Sequence, residues 1–152
     1  MVKSRIHGVV SLGTTVIAAG ISALAMGRDS WALAALYGAI YIASGALIIG
    51  AFCAKCPCKA HCGHVLPGKL AARFPHRQPG PYRPLDYTLL GIGLAAWVLV
   101  PQPWLVSHPG LLIIYWVLMG AAGLQIQHFV CRACRNTYCP IRQMQIRQAS
   151  GQ

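Results

Sequence analysis

Four stretches of this chain, residues 6–26, 31–52, 87–105 and 110–130, contain no Lys, Arg, Asp or Glu. Each holds about 20 residues, the length a helix needs to cross a hydrocarbon layer about 30 Å thick. Inside lipid no water can satisfy a backbone N–H or C=O, so open segments of this kind are restricted to helices. Composition agrees: 10% of residues are charged, against about 25% in a soluble domain. The sequence therefore predicts an all-α integral membrane protein, a four-helix transmembrane bundle made of two hairpins. A transmembrane hairpin occupies residues 1–53, a Cys-rich basic loop 54–86, a second hairpin 87–130, and a Cys-containing tail 131–152.

The net charge of +11 is a matter of orientation rather than of nucleic-acid binding, which is not expected. Lys3 and Arg5 precede the first stretch; Lys55, Lys59, Lys69, Arg73, Arg77 and Arg83 lie between the second and third; Arg132, Arg135, Arg142 and Arg147 follow the fourth. Only Arg28 falls in the opposite set of turns. Cationic loops remain cytoplasmic, so both termini and every cysteine are expected on the cytoplasmic face of the inner or cell membrane. The tripeptide Ala23-Leu24-Ala25 imitates a signal-peptidase site, but the apolar run before it exceeds a signal core; the segment is expected to be retained.

Both hairpins run into a Cys-x-x-Cys segment, Cys53/Cys56 and Cys131/Cys134, offset by 78 residues. Cys58, Cys62 and Cys139 complete a set of seven cysteines. In a reducing compartment a disulfide framework is disfavoured, and an odd number leaves one thiol over. Metal ligation is the economical account, with clustered thiols for redox exchange as the competing one. One partition joins Cys53, Cys56, Cys131 and Cys134 into a four-thiolate site. Cys58, Cys62 and Cys139 then need His61 or His64 for a second. The prolines after Cys56 and Cys139 and the thiolate-rich spacing favour an iron–sulfur cluster slightly over zinc, although neither ferredoxin spacing is matched.

Other residues are weighed against plain structural roles. His7 and His128 lie at the same end of the first and fourth stretches, as axial haem ligands would; interfacial histidines are the commoner outcome, and haem is not favoured. A quinone head-group pocket is conceivable near Tyr115, Trp116 and His128, beside Gln125 and Gln127. Ala19/Ala23 and Ala39/Ala43 suggest close helix packing. Trp31, Tyr87 and Trp104 sit where interfacial aromatics belong, and Pro101 and Pro103 should break the third stretch. Residues 68–74 suggest a short surface helix on the anionic inner leaflet, followed by an extended connector over 75–84. Asp29 and Asp86 are the only acids, which excludes paired-carboxylate catalysis; no nucleophile–base motif is present. The function expected is an iron–sulfur electron-transfer or anchor subunit of a membrane redox complex, with a redox partner protein. A zinc-held docking platform and a soft-metal handling protein are the alternatives.

Overall fold

The computed structural model describes residues 2–74 and 77–150. Among them the chain is all-helical, with no strand. Helices α1 (Val2–Gly27) and α2 (Trp31–Ala51) form the first hairpin, α3 (Val65–Ala72) lies in the loop, and α4 (Pro84–Leu99) and α5 (Gln102–Val106) lead to α6 (Pro109–Gln125). A π-helical segment, Ile126–Cys131, prolongs α6, and α7 (Pro140–Ser150) closes the chain. Four helical stretches, Lys3–Gly27, Trp31–Lys55, Pro84–Val106 and Pro109–Cys131, are long and apolar enough to cross a membrane.

The local chemistry explains the boundaries. Asp29 and Ser30 N–H both donate to the Met26 carbonyl, and Ser30 then caps α2 by accepting from Ala32 N–H at 3.2 Å. Ser11, Thr14, Thr15 and Ser22 return their hydroxyl protons to carbonyls three or four residues back, so α1 carries polar side chains without orphaned groups. Asp86 Oδ2 accepts from the Arg83 N–H at 2.8 Å and the Asp86 N–H donates to the Arg83 carbonyl at 2.9 Å, capping the start of α4, with Pro84 at its first turn.

Helix α1 packs between α2 and α6, and α2 packs against α4. The buried seam of α1 is made of small residues, Ser4, Gly8, Ser11, Ala18, Ser22 and Ala25, until Met26 at its end. On α2 the buried positions are Tyr37, Ser44 and Ala51. The expected pair Ala39/Ala43 is exposed instead, because the α2 seam repeats every seven residues on Tyr37 and rotates those alanines outward. Gly93 lets α4 approach closely, since a Cβ there would sit 2.7 Å from Ile48 Cγ1.

The expected break at Pro101 is real and is chemically repaired. Proline has no N–H, so the Trp97 carbonyl loses its helical donor. Tyr115 Oη donates to that carbonyl at 3.0 Å, and Gln102 Nε2 donates to Val98 O at 2.7 Å. Tyr115 is 1% exposed and packs with Ala18, Ala25 and Leu105. Tyr115→Phe is therefore expected to cost about 1 kcal/mol in thermal unfolding, within the range of interhelical hydrogen bonds in lipid. In a Pro101→Ala background, which restores an N–H, the loss should shrink; a double-mutant cycle reads the difference.

The loop helix begins three residues before the expected start, and its Gly68 and Ala71 are buried against the cysteine loop. Residues 78–83 are neither helix nor strand, with Arg83 in extended conformation; Pro75, at the start of the expected connector, lies outside the described residues. Within the tail, Pro140 opens α7.

Candidate metal centre

The cysteines stand at the end of the bundle where α2 and the π-helical segment stop. Each Cys-x-x-Cys folds into the same tight turn: Cys56 N–H donates to Cys53 O and Cys134 N–H to Cys131 O, both at 3.1 Å. The first turn follows α2 through a single 3-10 turn, Cys53–Lys55. A second 3-10 turn, Lys59–His61, folds the loop back so that Cys58 and Cys62 stay near Cys56. The loop is wedged against α1, where Gly8 admits the backbone of Gly63; a Cβ at Gly8 would lie 2.7 Å from the Gly63 carbonyl carbon.

Two buried polar residues lock the halves together. Asn136, 1% exposed, donates Nδ2 to Cys56 Sγ at 3.4 Å and to Tyr82 Oη at 3.1 Å, while its Oδ1 accepts from Tyr138 N–H. Tyr82 stacks on Phe52, with centroids 4.2 Å apart. Asp86 accepts from Lys55 Nζ at 2.7 Å, Arg77 Nη1 at 3.1 Å and Arg83 N–H at 2.8 Å. This clamp ties α4 to the cysteine loop.

Cys134 is the hub of the thiols. It hydrogen-bonds with Cys56 and Cys58, and its charge is felt at Cys62 and Cys131. Cys131 in turn senses Cys139, and Cys53 senses Cys62. Backbone N–H groups two residues onward point at three sulfurs: Cys58 at Cys56, His64 at Cys62, and Asn136 at Cys134. The Cys56 thiol, donating to Cys134, holds the latter down to about 6; the Asn136 N–H, Cys58 and Arg142 act in the same direction. Cys56 is pushed up by that same bond and by burial, while burial raises Cys58 and Cys62. Among the thiols whose pKa is shifted, Cys134 is the one held toward the thiolate.

The chain matches no family model, no curated protein and no solved structure.

The donor chemistry suits a soft or borderline metal. The sulfurs are gathered rather than closed: among the described residues no group of three or more His, Cys, Asp or Glu side chains is arranged to hold an ion. Cys134 interacts with Cys56, Cys58, Cys62 and Cys131, so its contacts reach both Cys-x-x-Cys segments and the two loop cysteines. His64 hydrogen-bonds to the backbone of Gly8, and burial lowers its pKa; His61 is exposed. His7 stacks on Phe129 at 3.8 Å, with His128 exposed beside it. Trp116 lies half-exposed against the edge of buried Tyr115. The helical rise separates Tyr115 from His128 by about 20 Å, so one quinone head group does not reach both. Gln125 Oε1 is buried with no hydrogen-bond partner.

Asn136 and Tyr82 escaped sequence reasoning, since an Asn between two basic-rich turns reads as surface loop. The thiolate assignment gives a direct expectation. In metal-free protein iodoacetamide should label Cys134 first, with a rate that falls as pH drops below about 6 and the thiolate is protonated. Arg142→Gln should move that midpoint upward. Peptide mapping by mass spectrometry over a pH series checks both.

Proposed function

We propose that this chain is a four-span membrane protein, with its cysteine-bearing end cytoplasmic, that holds a thiolate-ligated metal centre at the membrane surface. Cys56, Cys58, Cys62 and Cys134 would hold it, with Cys53, Cys131 and Cys139 as neighbouring thiols. The observation that carries this reading is the gathering of sulfurs from two segments nearly 80 residues apart around Cys134. Hydrogen bonds from backbone N–H groups to those sulfurs favour the ionised form that a metal needs.

An iron–sulfur centre is the first reading. It would act as a one-electron relay in an anchor subunit of a membrane redox complex, between a cytoplasmic donor and a membrane acceptor. Exposed Arg73, Arg132 and Arg135 suit a donor with an acidic docking face. A structural zinc is the second reading, favoured by the way the loop is wedged between α1 and the clamp at Asp86. Soft-metal handling is less favoured, since no thiol lies within the bundle away from this end.

Elemental analysis and an absorption spectrum of anaerobically purified protein test the proposal. Iron with acid-labile sulfide and a visible charge-transfer band is the expected result. Stoichiometric zinc in a colourless protein selects the second reading, and absence of any bound metal refutes both.

A further inference from the structure

Beside the cysteine loop, with Cys62 in its wall, the N-terminal end of α1 carries a cavity of about 260 Å³. Three cationic side chains line it: Arg5 from α1, Lys59 from the cysteine loop, and Lys69 from α3. Among the described residues none of the three has a carboxylate within salt-bridge distance, and the chain has only two acids to offer. Asp86 is occupied by Lys55 and Arg77. Asp29 stands at the far end of α1, about 36 Å away by helical rise. Three cations brought together without a counter-ion repel one another, and an anion placed among them removes that cost.

A second cavity, of about 300 Å³, shares Arg5 and is otherwise lined by Ile6, Val9 and Val10. All three are exposed, on a helix long and apolar enough to lie in lipid. Arg5 thus stands between a basic recess and a shallow, open apolar face of α1 formed by Ile6, Val9 and Val10. That is the arrangement of a phosphate and the hydrocarbon chain attached to it.

We infer that this end of the protein binds one anionic phospholipid, with its phosphate among Arg5, Lys59 and Lys69 and an acyl chain along Ile6, Val9 and Val10. Basic pockets at membrane-facing helix ends recognise anionic head groups in this way. The site depends on the chain lying in a bilayer, but not on any metal. Loss of lipid binding with the metal centre intact would therefore refute the site alone.

The test is titration of the full-length protein, in neutral detergent, with phosphatidylglycerol, phosphatidylcholine or inorganic phosphate, read by native mass spectrometry. Saturable binding of phosphatidylglycerol is expected, with phosphatidylcholine much weaker. The double substitution R5Q/K69Q should weaken phosphatidylglycerol about 30-fold, each cation being worth about fivefold. K69Q alone, a milder change at an exposed residue, should weaken it about fivefold. Arg28→Gln, at the opposite end, should leave it unchanged. Equal binding of phosphatidylcholine, or wild-type affinity in K69Q, overturns the inference. Inorganic phosphate displacing the lipid at equal concentration overturns it in favour of a free-phosphate site.

Discussion

Asp86→Ala is expected to lower the unfolding free energy by about 3–5 kcal/mol, the range for breaking a buried ion pair from one side. Most of that loss comes from the partner left behind. Lys55 has a side chain only 11% exposed, and its ammonium sits 2.7 Å from the carboxylate. With the carboxylate gone, only the Pro81 carbonyl at 3.0 Å remains to it. Arg77 adds little, because its side chain is 44% exposed and water replaces the lost contact. The α4 cap is lost as well, since Arg83 N–H donates to the same carboxylate at 2.8 Å, worth about 1 kcal/mol. Denaturant unfolding in detergent measures the sum. Asp86→Leu combined with Lys55→Met should recover most of the loss, because removing both charges leaves no orphan. A single-mutant loss below about 1 kcal/mol would mean that Lys55 swings out to water instead of staying buried.

The four apolar stretches were legible because the bilayer length and the missing charges act on every residue of a segment at once. The break at Pro101 was legible because one missing N–H decides it, whereas α4 starts at Pro84, three residues before the expected start at 87. Packing faces were harder. Alanine is abundant throughout α2, so Ala39/Ala43 carried no more signal than any other small pair, and the large Tyr37 set the seam. The cysteine spacing pointed to association of the two hairpin ends. It left the grouping open, because Pro57 and the turn at Lys59–His61 determine where Cys58 and Cys62 fall. Asn136 and Tyr82 were invisible for a related reason: buried Asn136 and part-buried Tyr82 meet across 54 residues of chain. The partner that matters to Asp86 was hidden among many bases, yet a lone acid at the start of a span in so cationic a chain was itself a signal of pairing.

Cys134→Ser should have the largest effect on the proposed centre, lowering metal content at least tenfold. A serine hydroxyl stays protonated at neutral pH and is a poor ligand for soft metals. Loss of a direct ligand should also exceed the 10–100-fold effect typical of supporting residues. The position matters as much as the chemistry. Among the described residues Cys134 is the one thiol of the second segment that hydrogen-bonds to thiols of the first, so its loss removes the direct sulfur–sulfur contacts while the Asn136 and Arg135 bonds to Cys56 and Cys58 remain. Cys139→Ser is the informative companion. Cys139 is buried beside Cys131 and Tyr82, away from the hub, and its replacement should leave metal content within about twofold, a change small beside that of a ligand. Elemental analysis of both variants, normalised to folded protein, separates a centre built around Cys134 from one spread evenly over all seven cysteines. Equal losses in the two would discard the hub. A Cys134→Ser protein that kept its metal would move the ligands to the remaining thiols, with the two hairpins still joined by the α1–α6 and α2–α4 packing, by Asn136 and by the Asp86 clamp.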